Sequence, residues 1–385
     1  MRRSLLAAGA LPLAGSIGFG DAPLKYKAAV IGHTGRGNYG HELDWVFNHR
    51  PDVQVVAVAD PDAAGRAKAA ARCKALRQYA DYREMLEKEK PQLVSVAPRW
   101  TDQHHAMGRA ALGAGAHLDM EKPFTETLAE ADDLLQLATA NKLKIAVAHQ
   151  MRLQPSVVFI KAQLRQLIGE LLEIRAHGKQ DHRAGGEDMV VLGTHVFDLM
   201  RHFAGDPLWC SARILREGRE ITRADARQAT ENIGPVAGDE ITAQFAFENG
   251  VNASFTSRRK LHEVVSPWGM ELIGDQGAIR IVPDTAPKVF ILKTSPLDDA
   301  GQVRQWVRIE GDPGANLPKA ERNTATANLR VVNEWIAAIE ADRQPACSGY
   351  NAMKALEMIL GVFEAGLSRQ RAVFPLSNRS HPLAE

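Results

Sequence analysis

Residues 26–37 read Tyr-Lys-Ala-Ala-Val-Ile-Gly-His-Thr-Gly-Arg-Gly, an apolar run that ends directly in a glycine-rich turn. The apolar run has the length and composition of a buried strand. A literal G-x-G-x-x-G match begins at Gly35, but the first glycine of a pyrophosphate-binding turn should follow the strand directly. The better phase therefore starts at Gly32. It predicts that a dinucleotide is contacted by Gly32, Thr34, Gly35, Arg36 and Gly37.

The segment after this turn continues the same pattern. A helix is predicted over about residues 38–50, and a second apolar strand covers residues 53–59 and ends in Asp60. An acidic residue at the tip of the second strand suits the hydroxyl groups of an adenosine ribose and repels a 2′-phosphate. Asp60 therefore favours NAD over NADP. The alternative is that Asp60 only caps the next helix.

Helical and apolar segments then alternate at the spacing of βαβ units, which predicts a parallel sheet. Helices are predicted at residues 63–73 and 81–89, a strand at 93–97, a helix from His104 to about residue 115, and strands at 116–120 and 144–149. Thr127-Leu128-Ala129-Glu130 has the sequence of a capping box for the helix between the last two strands. Residues 24–150 are therefore predicted to form a Rossmann dinucleotide-binding domain.

The strand at residues 116–120 runs directly into Glu121-Lys122-Pro123. An acid and a base at this position emerge at the carboxyl end of a parallel strand, where open α/β sheets bind ligands. A lysine there can stabilise negative charge on a substrate oxygen or move its proton, and burial or a neighbouring cation lowers its pKa towards the operating range. Lys122 is therefore predicted to be catalytic.

The second half, residues 151–385, has the pattern of an α+β domain built on a large open, mainly antiparallel sheet. A helix is predicted at 156–168, a strand at 171–177, and a hairpin of strands 241–247 and 251–257 joined by Glu248-Asn249-Gly250. Further strands are predicted near 270–273, 278–282, 288–292 and 303–309, a loop at 295–322, and helices at about 323–342 and 350–369. The polar alternate face of this sheet suits contact with water or another subunit.

Several motifs together resemble the glucose-fructose oxidoreductase and inositol dehydrogenase family. They are Pro98, His104, residues 111–115, Glu121-Lys122-Pro123, and residues 147–155 with Arg152 and Pro155 in register. The spacing from Pro98 to His104 is one residue longer than is usual in that family. The resemblance implies a cis bond before Pro123 and pairing of identical subunits through the C-terminal sheet. It also implies a substrate contact for Arg152 and cofactor contacts for Pro98, His104, Glu121, Lys122 and Gln150.

His195 lies in the segment of residues 189–201, which is predicted to be helical. A histidine on an apolar helical face is usually a core residue, but similar enzymes place a catalytic or substrate-binding histidine at the corresponding Gly-x-His position. Inositol-type relatives commonly carry an aspartate four residues earlier, where this chain has Val191. The nearby Asp188 is the candidate that could replace it in orienting and activating His195.

A polar stretch of both charge signs, residues 178–188, precedes this helix. Two interpretations of it stay open. The stretch either recognises an unusual sugar through Lys179, His182 and Arg183, or it forms a solvated surface loop.

Composition argues against several classes of protein. A formal net charge of +1 over 385 residues gives no global attraction to nucleic acid or to an anionic membrane. Cys73, Cys210 and Cys347 have neither metal-ligand spacing nor a disulfide framework, so no metal site is expected. Residues 1–23 begin Met-Arg-Arg-Ser-Leu-Leu and resemble a twin-arginine export signal, too short and too broken for a stable membrane span. A periplasmic location is expected, or a cytoplasmic one if the signal is not used; a disordered start is the alternative.

Three functions are compatible with these residues. The first is hydride transfer between NAD(H) and a sugar or sugar-like alcohol, with Lys122 and His195 handling the proton. The second is cleavage of a glycoside through transient oxidation of the sugar, in which NAD is not consumed; export and Val191 favour it. The third is a non-enzymatic protein that binds a sugar or a nucleotide, since a fold does not fix a function.

Overall fold

The computed structural model describes residues 23–259, 268–283, 286–296 and 305–384. The predicted export segment at residues 1–23 lies almost wholly outside this part of the chain, as do portions of the predicted strand at 303–309 and loop at 295–322. Among the described residues, no helix is both long enough and apolar enough to cross a lipid bilayer.

The N-terminal half contains a parallel sheet with largely buried strands. They are β1 (Tyr26–Ile31), β2 (Val53–Ala59), β3 (Arg77–Tyr79), β4 (Leu93–Val96), β5 (His117–Met120) and β6 (Ile145–Val147). Within the continuously described residues 23–147 these six strands lie in the order β3–β2–β1–β4–β5–β6, and all neighbours are parallel. This is the doubly wound order of a Rossmann domain, and it confirms the predicted fold of this half.

Four helices connect the strands of this sheet. They are α1 (Ala63–Cys73), α2 (Tyr82–Glu89), α3 (His104–Gly113) and α4 (Leu128–Ala140). The start of α4 is the predicted capping box: the Thr127 side chain accepts a bond from the backbone N–H of Glu130, and the Glu130 carboxylate accepts one from the backbone N–H of Thr127. The box satisfies two donors that a helix start leaves free.

The prediction of a helix over residues 38–50 is wrong. The structure has two short 3₁₀ turns there, Gly40–Glu42 and Val46–His49. Asn38, His41 and Glu42 have φ angles of +53°, +44° and +65°, which an α-helix of L-residues does not accommodate. The apolar side chains that produced the helical pattern are still buried: Leu43, Val46 and Phe47.

The second half folds around a larger, mixed sheet. Its helices and strands in chain order are α5 (Pro155–Ile168), β7 (Leu171–His177), α6 (Gly186–Val191), α7 (Gly193–Ala204), β8 (Pro207–Arg216), β9 (Arg219–Glu220), β10 (Arg227–Gln228), β11 (Pro235–Val236), β12 (Glu240–Phe247), β13 (Asn252–Arg258), β14 (Gly269–Gly274), β15 (Ala278–Val282), β16 (Lys288–Leu292), β17 (Val307–Arg308), α8 (Thr324–Glu340), α9 (Gly349–Ser368) and β18 (Ala372–Val373).

The described strands of the large sheet follow the order β17–β16–β15–β14–β7–β13–β12–β8–β18, with β9 beside β8. Strands β7 and β13 are parallel, and the other described neighbours are antiparallel. The predicted hairpin of β12 and β13 is confirmed, and buried and more exposed residues alternate along both strands. The buried positions face helices such as α7 and α9, and the alternate positions form a polar outer face.

Helix α8 comes from the end of the sequence but packs on the Rossmann domain. Its residues Val331, Val332, Trp335 and Ile336 lie in one hydrophobic cluster with residues of β1, β2 and the 3₁₀ turns at 40–49. The predicted domain boundary at residue 150 therefore divides the sequence, but this hydrophobic core contains residues from both sides of the boundary. The same contact covers the apolar residues for which a local helix was predicted.

Candidate active site

A cavity of about 620 Å³ lies at the carboxyl end of β5, where Lys122 leaves the sheet. The Rossmann half contributes His41, Lys122 and Gln150 to its wall, and the second half contributes His195 and Trp268. Catalytic sites of open α/β sheets lie at this edge. The cavity between the two halves is therefore the candidate active site.

Lys122 is buried in the wall of this cavity, and its Nζ donates a hydrogen bond to the backbone oxygen of Val191 at 3.1 Å. Val191 is the last residue of α6, and helix ends leave carbonyl groups without intrahelical partners. A neutral carbonyl oxygen thus meets the lysine at the position where an aspartate was expected. Burial lowers the pKa of Lys122, although the carboxylates of Glu121 and Glu231 oppose this effect.

Glu121 is fully buried and holds His41, a residue that no sequence pattern indicated. One carboxylate oxygen contacts Nδ1 of His41, and the other accepts the backbone N–H of Lys122. Burial alone would raise the pKa of Glu121, but its interactions with His41 and Lys122 outweigh burial and hold that pKa below its usual value. A Cβ on Gly40 would lie 2.6 Å from Oε1 of Glu121, so the close approach requires glycine. Asn328 of α8 donates a 2.8 Å bond to the backbone oxygen of His41.

His195 lies near the start of α7 with a relative exposure of 6%. Its ring stacks on that of Trp268, with 5.9 Å between the centroids, and Nδ1 has no hydrogen-bond partner among the described residues. Burial lowers the pKa of His195 well below its usual value, and Lys122 lowers it further. A neutral imidazole with an unpartnered nitrogen beside the cavity can accept a proton from a substrate hydroxyl.

A buried network behind His195 contains Arg152. Its Nε donates to both carboxylate oxygens of Asp198, at 2.8 and 2.7 Å, and Nη2 donates to the backbone oxygen of Asp198 at 3.1 Å. His149 lies between this network and His195. Its Nε2 is 2.8 Å from Oγ1 of Thr194, and burial lowers the pKa of His149 to about 4. The predicted substrate contact of Arg152 is not supported by this geometry, because Asp198 already occupies its guanidinium group.

Asp188 is not part of the cavity wall. Its buried carboxylate accepts the backbone N–H groups of Lys179 and Gln180, each at 3.0 Å, and the hydroxyl of Ser257 at 2.6 Å. These bonds anchor the polar loop at residues 178–188. The predicted catalytic role of Asp188 therefore lacks support, because its carboxylate is committed to the loop.

The structure separates the three basic residues of this loop, Lys179, His182 and Arg183. Lys179 lines the cavity, and its Nζ lies 3.5 Å from Asp181. Arg183 is held by the carboxylates of Asp181 and Glu231, at 2.8 and 3.0 Å. The side chain of His182 is 82% exposed and points into solvent. Of the three predicted substrate contacts, Lys179 is thus the one that the fold brings to the cavity.

A second cavity of about 320 Å³ lies at the carboxyl ends of β1 and β2, with Gly32, His33 and Asp60 in its wall. The buried carboxylate of Asp60 accepts the backbone N–H and the hydroxyl of Thr34, at 3.0 and 2.7 Å. Gly37 has a φ of +83°, and a Cβ there would lie 2.7 Å from the backbone nitrogen of Trp100. Glycine is therefore required where the turn crosses the end of β4.

The remaining residues predicted at the cofactor site divide into two groups. His104 is buried and lies outside both cavity walls, with Nε2 2.7 Å from the oxygen of Pro98 and Nδ1 2.9 Å from that of Pro123. It joins the end of β4 to the turn after Lys122, whose bond to Pro123 is cis as the resemblance implied.

Gly35, Arg36 and Gln150 form the second group. Gly35 has a φ of +82° and open space around it, and Arg36 is on the surface in an ion pair with Asp102. Gln150 lines the first cavity, and its buried Oε1 has no hydrogen-bond partner in the part of the chain that the structure describes. No group of three His, Cys, Asp or Glu side chains in that same part could hold a metal ion.

Comparison with known families agrees with this geometry. Residues 26–149 match the oxidoreductase family with an NAD-binding Rossmann fold, and residues 175–373 match the C-terminal alpha/beta domain of the same family. The chain belongs to the Gfo/Idh/MocA oxidoreductase family. As a member of the Gfo/Idh/MocA family it is an NAD-dependent oxidoreductase.

Two relatives illustrate its place among the Gfo/Idh/MocA proteins. Levoglucosan dehydrogenase of Pseudarthrobacter phenanthrenivorans is 25% identical over 260 residues, which span 61% of this chain and 66% of that protein. D-apiose dehydrogenase of Paraburkholderia graminis is 24% identical over 348 residues, or 87% of this chain and 86% of that protein.

Solved structures show the shared Gfo/Idh/MocA fold. A levoglucosan dehydrogenase in complex with NADH and levoglucosan superposes with a TM-score of 0.74 at 18% identity, covering 92% of this chain and 100% of that chain. An oxidoreductase from Agrobacterium radiobacter in complex with NAD⁺, L-tartaric acid and magnesium gives 0.68 at 16% identity, covering 90% and 98%.

Proposed function

We propose that the protein oxidises a hydroxyl group of a sugar or sugar-like alcohol and passes the hydride to NAD. The observation that carries this proposal is that Lys122 and His195, from the two halves of the chain, border one cavity at the carboxyl end of β5. The names of the two curated relatives support a sugar as the substrate class.

The residues present fit a dinucleotide. Asp60, which lines the second cavity, binds the adenosine ribose in this proposal, and a ribose hydroxyl replaces the Thr34 hydroxyl as donor. The unpartnered Oε1 of Gln150 offers an acceptor beside Lys122. When bound, NAD supplies the hydride acceptor.

The protein's own groups manage the proton of the substrate hydroxyl. His195 is neutral before the reaction, because burial and the nearby Lys122 disfavour its charged form. Its unpartnered ring nitrogen then accepts that proton. Lys122, in its ammonium form, stabilises the negative charge that grows on the substrate oxygen. The bond from Nζ to the Val191 oxygen holds this ammonium group in place through a neutral acceptor.

Steady-state kinetics with a panel of sugars and NAD⁺ tests the proposal through the absorbance of NADH. Wild type should form NADH with at least one sugar, and Lys122→Ala should lower kcat by roughly 10²–10⁴-fold, the usual contribution of such a group. His182→Ala is the control, since this residue of the second half is 82% exposed and lies outside the cavity wall. Full activity of Lys122→Ala would refute the role of Lys122. Cleavage of a glycoside with tightly bound, unconsumed NAD would instead favour the transient-oxidation alternative.

We further propose that the protein is exported by the twin-arginine route. The support is the paired Arg2-Arg3 followed by an Ala-, Leu- and Gly-rich stretch. Cell fractionation should find the protein in the periplasm, and changing both residues to lysine should retain it in the cytoplasm. Equal periplasmic amounts of both proteins would contradict this route.

We also propose that identical subunits pair through the outer face of the large sheet. The support is the polar row that Thr242 and Gln244 of β12 present opposite the helix-covered face. Light scattering should give at least twice the chain mass, and Gln244→Arg should reduce it, because like charges would face each other across a two-fold interface. A monomeric wild type would contradict the pairing.

A further inference from the structure

The wall of the active-site cavity has an unusual balance of ionisable groups. Its ionisable residues among those described are His41, Lys122, Lys179, His195 and Lys288. None of the described lining residues is an aspartate or a glutamate. Within the described residues, the surface that a substrate meets therefore carries side chains that can be cationic and none that is anionic.

The acids that balance these cations lie behind the wall. Glu121 is fully buried and contacts His41. Asp181 is shared between Lys179 and Arg183, and it contacts Arg183 at the shorter distance. Because Coulomb energy falls with distance, a ligand in the cavity interacts more strongly with the lining cations than with these acids.

Lys288 differs from the other cations of the cavity. It begins β16, is exposed, and forms no salt bridge with any other described residue. Lys122, in contrast, is buried and bonded to the Val191 oxygen. The cavity thus combines a buried lysine at the reaction centre with a solvent-accessible lysine on the opposite domain that has no salt-bridge partner among the described residues.

Hydrogen-bond chemistry points in the same direction. The hydroxyl groups of a neutral sugar are donors as well as acceptors, and carboxylates are the side chains that only accept. Among the described lining residues, side-chain acceptors are restricted to amide, hydroxyl and imidazole groups such as those of Gln150, Thr324 and His195. Lysine offers only donors. The wall is therefore better matched to a ligand that is rich in acceptors.

We propose that the substrate is an anionic sugar, whose carboxylate or phosphate group is bound by Lys288 and Lys179 while a hydroxyl group meets Lys122 and His195. This inference rests on the proposed dehydrogenase function and specifies its substrate class. The anion is held on the sheet side of the cavity, and the reacting carbon then lies towards the Rossmann domain.

Calorimetry on the NADH-bound protein tests the charge preference independently of turnover. The probes are D-glucose, D-glucuronate and D-glucose 6-phosphate, with the corresponding neutral and anionic forms of galactose and mannose. At least one anionic form should bind about tenfold or more tighter than its neutral parent, and the difference should shrink at high salt. A carboxylate preference and a phosphate preference are separated by the two anionic arms.

Lys288→Gln should weaken binding of the preferred anion by about three- to tenfold and leave the neutral parent unchanged, as expected for a charge pair near the surface. Lys293→Gln is the matched control: it removes the same charge just beyond β16 from an exposed residue outside the cavity wall. Neutral sugars binding as well as the anions in all three series would overturn the inference. An equal effect of Lys288→Gln on neutral and anionic forms would also overturn it.

The failure of the proposed function gives a different result. If an anionic sugar binds as described but the protein loaded with NAD⁺ forms no NADH with it, dehydrogenation is refuted while the anion preference stands. If NADH forms equally well from neutral parents, dehydrogenation stands and the anion preference is refuted.

Discussion

Asp119, in the strand that leads to Lys122, allows a quantitative test of the protonation state of a buried carboxyl group. It lies in β5 with no exposed surface, and its Oδ1 has no partner among the described residues. Its Oδ2 is 3.2 Å from the hydroxyl oxygen of Ser95, which also lies 3.1 Å from the backbone oxygen of Leu43. A protonated Asp119 can donate to Ser95 while Ser95 donates to Leu43. The geometry therefore suits the neutral acid.

The expected effect of Asp119→Asn follows from the pKa of this carboxyl group. Burial raises that pKa from an ordinary value of 3.8 to about 7. A raised folded pKa means that stability is complete below pH 3.8 and is lost as the pH rises towards 7. At about 1.4 kcal/mol for each pH unit, the wild type loses about 4 kcal/mol over this range. Asparagine does not titrate. As the pH rises, the free energy of unfolding of Asp119→Asn should therefore increase relative to that of the wild type by up to about 4 kcal/mol.

Urea unfolding between pH 4.5 and 8.5, followed by circular dichroism, measures this difference. The control is Asp52→Asn, whose difference in stability from the wild type should stay constant across this pH range. Asp52 accepts two bonds from Arg50, and these bonds hold the pKa of Asp52 below its usual value. Its stabilising effect is therefore fully present throughout the measured range and is lost only below the ordinary pKa of 3.8. A stability difference between Asp119→Asn and wild type that does not change with pH would refute the protonated state of Asp119.

Three further predictions concern activity. Burial lowers the pKa of Lys122, so the ammonium group should be lost below pH 10.5 and kcat for oxidation should fall as the pH rises through this range. Lys122→Arg should lower kcat and remove this alkaline decrease from the pH profile. Asp60→Ala should raise KM for NAD by about tenfold and reduce the preference over NADP, measured as a ratio of kcat/KM values. Gly40→Ala places a methyl group 2.5 Å from Cγ of Arg99 and 2.6 Å from Oε1 of the buried Glu121, so both kcat and the melting temperature should fall; unchanged kcat would show that the contact of Glu121 with His41 is dispensable.

The parts of the fold that the sequence predicts well are those fixed by local patterns. Helix α1 and strands β7, β15 and β16 have the predicted bounds, because their apolar spacing and flanking turn residues are sufficient signals. The segment 38–50 fails for the opposite reason. Its apolar residues have helical spacing, but two 3₁₀ turns bury the same side chains, and the helix that covers them comes from residues 324–340.

The same distinction applies to the active site. Lys122 and His195 could be found because each belongs to a recognisable motif. His41, Trp268 and Lys288 could not, because each enters the cavity through long-range packing rather than through its neighbours in sequence. Asp188 and Arg152 have side chains suited to catalysis or binding, but the partners that occupy them, such as Ser257 and Asp198, lie 69 and 46 positions away in the sequence.

Val191 connects the local fold of this segment to the chemistry of Lys122. A continuous helix through residues 189–201 would use the Val191 carbonyl for its own hydrogen bonding, but the break at Leu192 leaves that oxygen available to Lys122. An aspartate at this position would favour the charged lysine and raise its pKa, whereas a carbonyl orients the lysine with no full negative charge. The substitution therefore does not remove the partner of Lys122. The carbonyl oxygen is a neutral acceptor, so it leaves more of the positive charge available to a substrate oxygen than a carboxylate would.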